Sequence, residues 1–566
     1  MKIFRNITRV TFLLVTLLIV ILPSYHANAA PPCSPSQSPA WQICGPIQAL
    51  TGINEYSTAI QASDGTLRLA WTHVTLNGLS SISYSTRLLN GTWTGNSTIT
   101  NPGGRNLSPS LVQLANGTIF LFWSYKPTTS MNSQIYYRYL KGSVWSTYNK
   151  LPLHTPVCSP TCWNDTQPSA TVGRDGTLWL VWTRDNSTVA GTTPVYRQLW
   201  YETLNSTGWS KNEQSITSIS DINWNFEPSV RVGKDGVPRV AFSRGQSLLA
   251  NFQINYIYRS GSSWTLPRSI VASNSTSDDE NPSLVQDRNG TLWVFWSRNM
   301  NSNFVIKSEY SWDNGTSWRG ETMMTAACSG CADSRYPAAV QWSFDKNLYV
   351  FYSTNPGATG FDLFALTTVN PISPVHDIAI ANSTGSYGTN ASLIYAGGFH
   401  NPYAGISQSA VVLLSVTIMD LGDFAENASL TMIATNSTNY SLGTQTVSLI
   451  PGGSAVVSFS WNTSGVRPAR YGLSASASIP IEPLGNRGDN VLAKPNIVHL
   501  LPLGDVDQDG SVTITDVGVV FYNYGFSCYT PTTCSPRYNP FADSNGNGVI
   551  DIVDVGVVSR NFDIFT

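Results

Sequence analysis

The chain reads as a mostly-β protein: a six-bladed β-propeller, then a β-sandwich, then a small helical module. Three observations predict this. A unit of 50–60 residues recurs six times between 45 and 370. Strand-like apolar runs continue to about 497 without that repeat. The last 62 residues hold two near-copies of one acidic loop. With 566 residues the chain is too long for one core and divides into several domains.

The first element is an export signal. Lys2, Arg5 and Arg9 precede an apolar run, Thr11 to Pro23, and small residues follow at Ala27–Ala30. Residues 1–30 therefore read as a secretory signal peptide, with an uncleaved anchor as the alternative. No later stretch reaches 18 apolar residues, so the mature chain is expected outside the cell or at its surface, with no membrane segment. Residues 31–44 form an N-terminal segment. The eight cysteines, 33, 44, 158, 162, 328, 331, 528 and 534, fall into four neighbouring pairs, as local disulfides in an oxidising compartment would. Cys328-Ser-Gly-Cys331 could also be a redox or metal pair, but no second such pair or nearby histidine supports zinc. Sixteen Asn-x-Ser/Thr sites beyond the signal segment make a glycoprotein an open reading. With 32 basic and 34 acidic residues and no basic stripe, nucleic acid is not an expected partner.

Residues 45–370 carry the repeat. Its copies include PSLVQLANGTIFLFWS from Pro109, PSATVGRDGTLWLVWT from Pro168, PSVRVGKDGVPRVAFS from Pro228 and PSLVQDRNGTLWVFWS from Pro282. The turn glycines are 65, 117, 176, 236 and 290, and the sixth copy is expected to use Asn347 there. In each unit a strand meets an Asp-Gly or Asn-Gly turn, then a second strand. A third strand and a Trp-led fourth, as at Trp145, Trp209 and Trp264, complete a blade. A plain sandwich or solenoid is the alternative.

Ser311-Trp-Asp-Asn-Gly-Thr-Ser-Trp318 resembles the Asp-box (BNR repeat) of the sialidase-like propeller superfamily. That resemblance implies the fold, with the boxes on the face opposite the active site. The face that could bind is located by strand order. His73, Lys126, Arg184, Arg244 and Arg298 end the second strands, and the entering loops add Asp221, Trp224, Glu227, Asp278, Asp279 and Glu280. Guanidinium groups grip anions and a Trp face can stack on a sugar. Arg184, Arg244, Arg298, Trp224, Glu227 and Glu280 are the candidate ligand residues. The competing reading has these charges only tying blades together. The superfamily resemblance implies three arginines on a substrate carboxylate, an Asp acid/base and a Tyr–Glu pair. No Arg-Ile-Pro segment is present, no Tyr–Glu pair can be assigned by motif, and the catalytic residues stay unassigned.

Residues 371–500 resemble a CARDB-type domain, an Ig-like sandwich, on the strand Thr446–Ile450, the turn Pro451-Gly452-Gly453, Trp461–Gly465 and Asp489-Asn490. A spacer or adhesion role is expected.

Residues 501–566 carry DVDQDGSVTITD, Asp505–Asp516, and DSNGNGVIDIVD, Asp543–Asp554. The spacing is that of EF-hand Ca²⁺ loops, with Gly510 or Gly548 at the sharp turn. It resembles a type I dockerin. The ligands implied are Asp505, Asp507, Asp509, Ser511 by its carbonyl, Thr513 through water and Asp516. In the second loop they are Asp543, Asn545, Asn547, Val549 by its carbonyl, Asp551 and Asp554. Two Ca²⁺ ions are the expected cofactors. The partner is a cohesin-like protein, or the module only caps the chain. The expected function is noncatalytic recognition of a glycan or surface ligand. The alternative is a sialidase-like glycoside hydrolase acting on extracellular polysaccharide or glycoconjugate.

Overall fold

Each turn glycine sits at the tip of a hairpin, and its backbone shows why glycine is there. Gly65, Gly117, Gly176, Gly236 and Gly290 have φ between 75° and 82°, left-handed values that cost a side chain dearly. The preceding Asp or Asn closes the turn: Thr66 N–H donates to Asp64, Thr118 N–H to Asn116 and Thr177 N–H to Asp175. In the sixth copy the left-handed residue is Lys346, φ 61°, not the expected Asn347, which opens the next strand.

These hairpins belong to a computed structural model that describes residues 33–48, 52–75, 77–100, 103–127, 132–152, 161–188, 197–246, 251–270, 277–300, 303–326, 332–355, 360–372, 374–380, 393–397, 406–407, 411–528, 535–539 and 541–562. The signal segment and Cys158, Cys328, Cys331 and Cys534 lie outside them. Cys33 and Cys44 form a disulfide and Cys528 is disulfide-bonded.

Six antiparallel sheets follow one another from 53 to 368. Their first strands are Ile53–Gln61, Arg105–Gln113, Thr161–Val172, Trp224–Val232, Asp279–Gln286 and Asp333–Trp342. The sixth sheet also takes Trp41–Gln48 and Cys33–Pro35, so the start of the described chain pairs with Asp362–Thr368. The first strands stand side by side, and the repeated Pro-Ser explains how. The serine hydroxyl accepts a backbone N–H from the next sheet: Ala170 N to Ser110, Val230 N to Ser169, Leu284 N to Ser229 and Ala339 N to Ser283, at 2.8–3.0 Å. Apolar side chains fill the spaces between sheets, as where Leu121 and Trp123 pack with Ala70 and Ile82.

The expected closed six-bladed propeller is corrected. Among the described residues no sheet closes on itself. Backbone ladders give six separate open sheets, and neighbours are joined by packed side chains, by side chain–backbone bonds and by single backbone bonds such as Asn54 N to the Phe361 carbonyl and Asp279 N to the Phe252 carbonyl. The Ig-like sandwich expected over 371–500 is corrected too. Ile378–Ile380 and Leu393–Gly397 both pair along one edge of Val411–Asp420, with Ser454–Asn462 on the other edge. The second sheet begins with the parallel pair Ile406–Ser407 and Val491–Leu501, then runs through Ala469–Ser478, Glu426–Thr435 and Asn439–Leu449. That is not the four-plus-three strand order of an Ig constant domain. The two sheets do share one core, which includes Leu414, Leu430, Trp461 and Tyr471.

The helical module is corrected in the same way. Each acidic loop runs into one nine-residue helix, α1 (Ile514–Tyr522) or α2 (Ile552–Arg560). Among the described residues no helix leads into either loop. The two short helices lie far apart in the chain, so no EF-hand helix–loop–helix pair is formed. Both helices start with a capping box, Thr513 with Asp516 and Asp551 with Asp554. Val512, Val520, Ile550 and Val558 form the small core between them.

Candidate active site

The first strand of every sheet carries a register slip at the proline of its Pro-Ser, or its equivalent, and the residue before it. The slip is a β-bulge, which bends the strand and re-aims a side chain. In each case one residue takes a left-handed backbone: Tyr56, Ser108, Gln167, Glu227, Asn281 and Tyr336, with φ from 52° to 58°. The N–H groups freed there are held by the preceding sheet. Ser108 N donates to Thr72, Gln167 N to Ser124, Glu227 N to Thr183 and Tyr336 N to Ser297. The six corners meet around one cavity of about 110 Å³, lined by those six residues and the residue after each. Non-glycine residues held in this region of backbone space are costly, and such strain gathers at working sites.

Chemistry is concentrated on one side of this cavity. Glu227 Oε2 accepts from Ser243 Oγ at 2.9 Å and from Asn281 N at 2.8 Å, and Oε1 accepts from Gln167 Nε2 at 3.3 Å. Burial still raises its pKa above the usual carboxylate range. Glu280 is pushed up to about 7, first by burial, then by the charges of Glu227 and Asp278, against the opposing pull of Arg335 and Arg197. Across the cavity the rings of Tyr56 and Tyr336 lie 4.0 Å apart, centre to centre. Burial raises Tyr336 to about 12, partly offset by a hydrogen bond from Tyr56. Burial raises Glu55, partly offset by a hydrogen bond from the Tyr336 side chain and by Arg335. Arg335 itself is fixed by Asp333 at 2.7 Å and lies over the Phe304 ring. Glu227 and Tyr336 thus line the cavity, while Glu280, held toward its protonated form near neutrality, acts on Glu227 by charge and Glu55 is a hydrogen-bond partner of Tyr336. Such separated acid strengths equip a site to give and take protons.

The residues expected from sequence divide in two. Glu227 and Glu280 are brought together here. The three arginines stay in separate sheets, each on its own acid. Arg184 is buried and donates to Asp165 at 2.7 and 3.1 Å, while Trp182 Nε1 donates to the same carboxylate at 2.9 Å. Arg298 repeats this on Asp279 at 2.6 and 2.9 Å, with Trp296 Nε1 at 2.8 Å and Glu321 beyond at 2.5 Å. Arg244 donates to Asp221 at 2.5 Å and Asn225 at 2.6 Å. His73 lies 3.0 Å from Asn54. Trp224 is buried beneath the Arg197 guanidinium, 4.5 Å from the ring centre. Sequence reasoning did not single out Tyr56, Tyr336, Glu55, Arg335 or Arg197. The one available signal was position, because Tyr336 precedes the proline of its repeat as Glu227 does.

A larger cavity, about 480 Å³, opens where the same six strands end, on the opposite side. Its acid, Asp287, is spent on its own turn, accepting from Asn289, Thr291 and Trp293. We therefore place the chemistry in the smaller one.

At the carboxyl end the two loops differ. The carboxylates of Asp505, Asp507 and Asp509 lie within 4.8 Å of one another and could coordinate a cation. Asp505 Oδ1 is buried without a hydrogen-bond partner, and burial lifts this residue to about 6. These hard oxygen donors suit a cation. Asp516 is already occupied, accepting from Val506 N, Asp507 N and Thr513 N. In the second loop Asp543 accepts from Asn547 N, Gly548 N and Tyr538 Oη, and Asp554 from Asn545 N and Asp551 N. Among the described residues paired EF-hand geometry is absent.

No family model matches the chain, and no curated protein matches it. Among solved structures it is similar to a protein of unknown function from Dyadobacter fermentans, at 14% identity and TM-score 0.44, over 56% of this chain and 95% of that one. It is similar to a Hadza microbial sialidase at 13% and 0.42, over 56% and 66%. It is similar to the GH93 α-L-arabinofuranosidase of Fusarium graminearum at 16% and 0.41, over 56% and 92%. The chain is thus remotely similar to several carbohydrate-active folds, too distantly for any residue to be carried across. The sialidase-like, Asp-box, CARDB and dockerin assignments are withdrawn on the open sheets, the strand order and the two short helices described above. Among the described residues no helix is long and apolar enough to cross a membrane.

Proposed function

We propose that the chain cleaves glycosidic bonds at the cavity between Glu227, Glu280 and the Tyr56–Tyr336 pair. One observation carries this reading: Glu280, at about 7, keeps its proton near neutrality and interacts with Glu227, which lines the cavity. Glycoside cleavage needs an acid to protonate the departing oxygen and a second group to act at the sugar carbon. Glu280 supplies the proton. Tyr336 attacks the carbon as the departing oxygen leaves with the Glu280 proton, and Glu55, its hydrogen-bond partner, takes up the phenol proton. Water, deprotonated by Glu280, then displaces the tyrosine, which regains its proton from Glu55. A cavity of about 110 Å³ admits part of one sugar unit rather than a chain segment.

The test is a panel of neutral and acidic polysaccharides and aryl glycosides, assayed from pH 4 to 9 for released sugar. Release from some member is expected, with a rate that falls above about 7 as Glu280 loses its proton. The Tyr336→Phe chain should release little. Glycans that bind at this cavity but are never cleaved would refute hydrolysis and leave recognition.

We propose also that each acidic loop takes one Ca²⁺, the first more tightly. The first loop's three carboxylates and its unpartnered oxygen support this. Calorimetric titration should show one site for each loop, with Asp505→Ala removing the tighter of these two. Titration without heat at millimolar Ca²⁺ would end the proposal.

A further inference from the structure

The turns at the far end of the six sheets do more than reverse the chain. They hold the two-sheet unit. Lys234 Nζ, in the fourth turn, donates to Asp377 Oδ2 at 2.7 Å and Asn486 Oδ1 at 2.8 Å. Arg174, in the third, donates to the Ile380 carbonyl at 2.5 Å and the Asp489 carbonyl at 3.4 Å. Arg288 and Lys346 both reach Asp423 at 2.7 Å. Between these ties the two backbones touch. A Cβ on Gly485 would lie 2.5 Å from the Gly290 carbonyl oxygen, and one on Gly488 would lie 2.6 Å from Asp235 Cβ.

Three acids are buried at this contact, Asp377, Glu482 and Asp489. Glu482 accepts from Ile378 N at 3.0 Å and from Asn490 Nδ2, and its carboxyl is also hydrogen-bonded to that of Asp377. Two carboxylates have no donor between them, so that last bond requires a proton. Asp489 has no solvent exposure, and neither of its carboxylate oxygens has a hydrogen-bond partner. The charges facing it are Asp377 and Glu482 from its own unit, and Lys234 and Arg174 from the turns. Lys234 already serves Asp377, and the Arg174 bonds go to backbone carbonyls. The surrounding charges are engaged elsewhere: Arg288 on Asp423, Asp235 on Arg239, Arg487 on the Glu482 carbonyl, and His376 on Glu426. Asp420, also buried, adds a further acid that acts on Asp377. A charged Asp489 would therefore stand uncompensated in the interior, at a cost of several kcal/mol. A protonated one becomes a donor, and Asp377 Oδ1 and Asn490 Oδ1 are buried acceptors without a partner.

We propose that this joint is a latch closed by protons: the two-sheet unit stays docked on the turns in acid and neutral medium and comes off them, still tethered through residues 369–377, as the medium turns alkaline. Burial above all lifts Glu482 to about 7 and Asp489 to about 8. Released into water, both acids return toward the ordinary carboxylate range, so docking takes up protons. Their contribution to docking is whole below that range and is lost as pH rises through about 7 and then about 8.

The test follows the radius of gyration of the full chain by small-angle X-ray scattering at pH 6, 7, 8 and 9. Ca²⁺ is kept saturating, so that the terminal loops stay constant. Gly488→Ala sets the scale, because its added methyl meets Asp235 and parts the joint at every pH. The parent should be compact at pH 6 and approach the Gly488→Ala radius by pH 9, with far-UV circular dichroism unchanged. Asp489→Asn puts an uncharged amide in place of the protonated acid and should stay compact throughout. If that variant does not fold, Glu482→Gln is measured instead, and its rise should be smaller than the parent's. A parent radius that is constant to pH 9 overturns the inference. So does a rise that the substitution leaves unchanged.

Discussion

Two polar regions recur in the six sheets, the end of the second strand and the bulge of the first, and several copies of each carry charge. They differ in what they do with charge. At the second-strand end, Arg184 and Arg298 sit on Asp165 and Asp279, and a tryptophan N–H completes each carboxylate. The charge is consumed inside the sheet. At the bulges the side chains leave their own sheet and meet those of the other five. There the acids are under-compensated, and burial shifts them toward neutrality. Regular register makes structural ties, whereas a break in register makes a meeting place.

The largest expected effect separates the two regions directly. Glu280→Gln should lower the rate of glycoside release by about 10²–10⁴-fold, the usual worth of a positioned general acid, with little change in Tm. Its counterpart, Arg298→Ala, should do the opposite. It strands Asp279, which has no solvent exposure. Denaturant unfolding should show a loss of about 3–5 kcal/mol, with activity per folded molecule retained. Equal damage to rate and stability in both variants would erase the distinction.

The pH dependence of stability sharpens it further. Folding raises Glu280 from 4.5 to about 7, so between those values the native state binds more protons than the unfolded one. Its contribution is present below the unfolded value and is lost as pH rises through about 7. Tm of the parent chain should therefore decline more steeply than that of Glu280→Gln between pH 5 and 8. Parallel curves would show that Glu280 titrates normally. The smallest effect belongs to a tie between sheets. Ser110→Ala removes the acceptor of the Ala170 N–H and should cost about 1 kcal/mol in the same unfolding assay, with no change in activity.

The same contrast explains what could be read from sequence. The hairpin turns were legible because Asp-Gly and Asn-Gly announce a left-handed residue, and five of the six copies kept the glycine. The registered arginines were legible as a pattern, since strand ends repeat with the turns. Their role was not, because Asp165 and Asp279 lie 19 residues upstream of Arg184 and Arg298 on a different strand. Glu227 and Glu280 were found from their place in the entering loops. Tyr56, Glu55 and Tyr336 were not. A bulge adds a residue and turns the following side chains to the other face, so a period-two reading assigns them wrongly. They also come from the first and sixth sheets, and only tertiary structure joins those. The joint at Lys234 was equally hidden. Its partners, Asp377 and Asn486, belong to a unit whose sequence gives no sign of which surface it will cover.

The sixth sheet has a consequence in time. Trp41 is hydrogen-bonded opposite Thr368, and Cys44 opposite Ala365. During synthesis the earlier strand emerges more than 300 residues before its mate. At about 5–20 residues per second that is a wait on the order of tens of seconds. Throughout it, Trp41–Gln48 has only the short strand Cys33–Pro35 to pair with, and the five intervening sheets must assemble with their ends still apart. A short binder that grips residues 41–48 would therefore act only on the nascent chain, and would find nothing to hold once synthesis had passed Thr368.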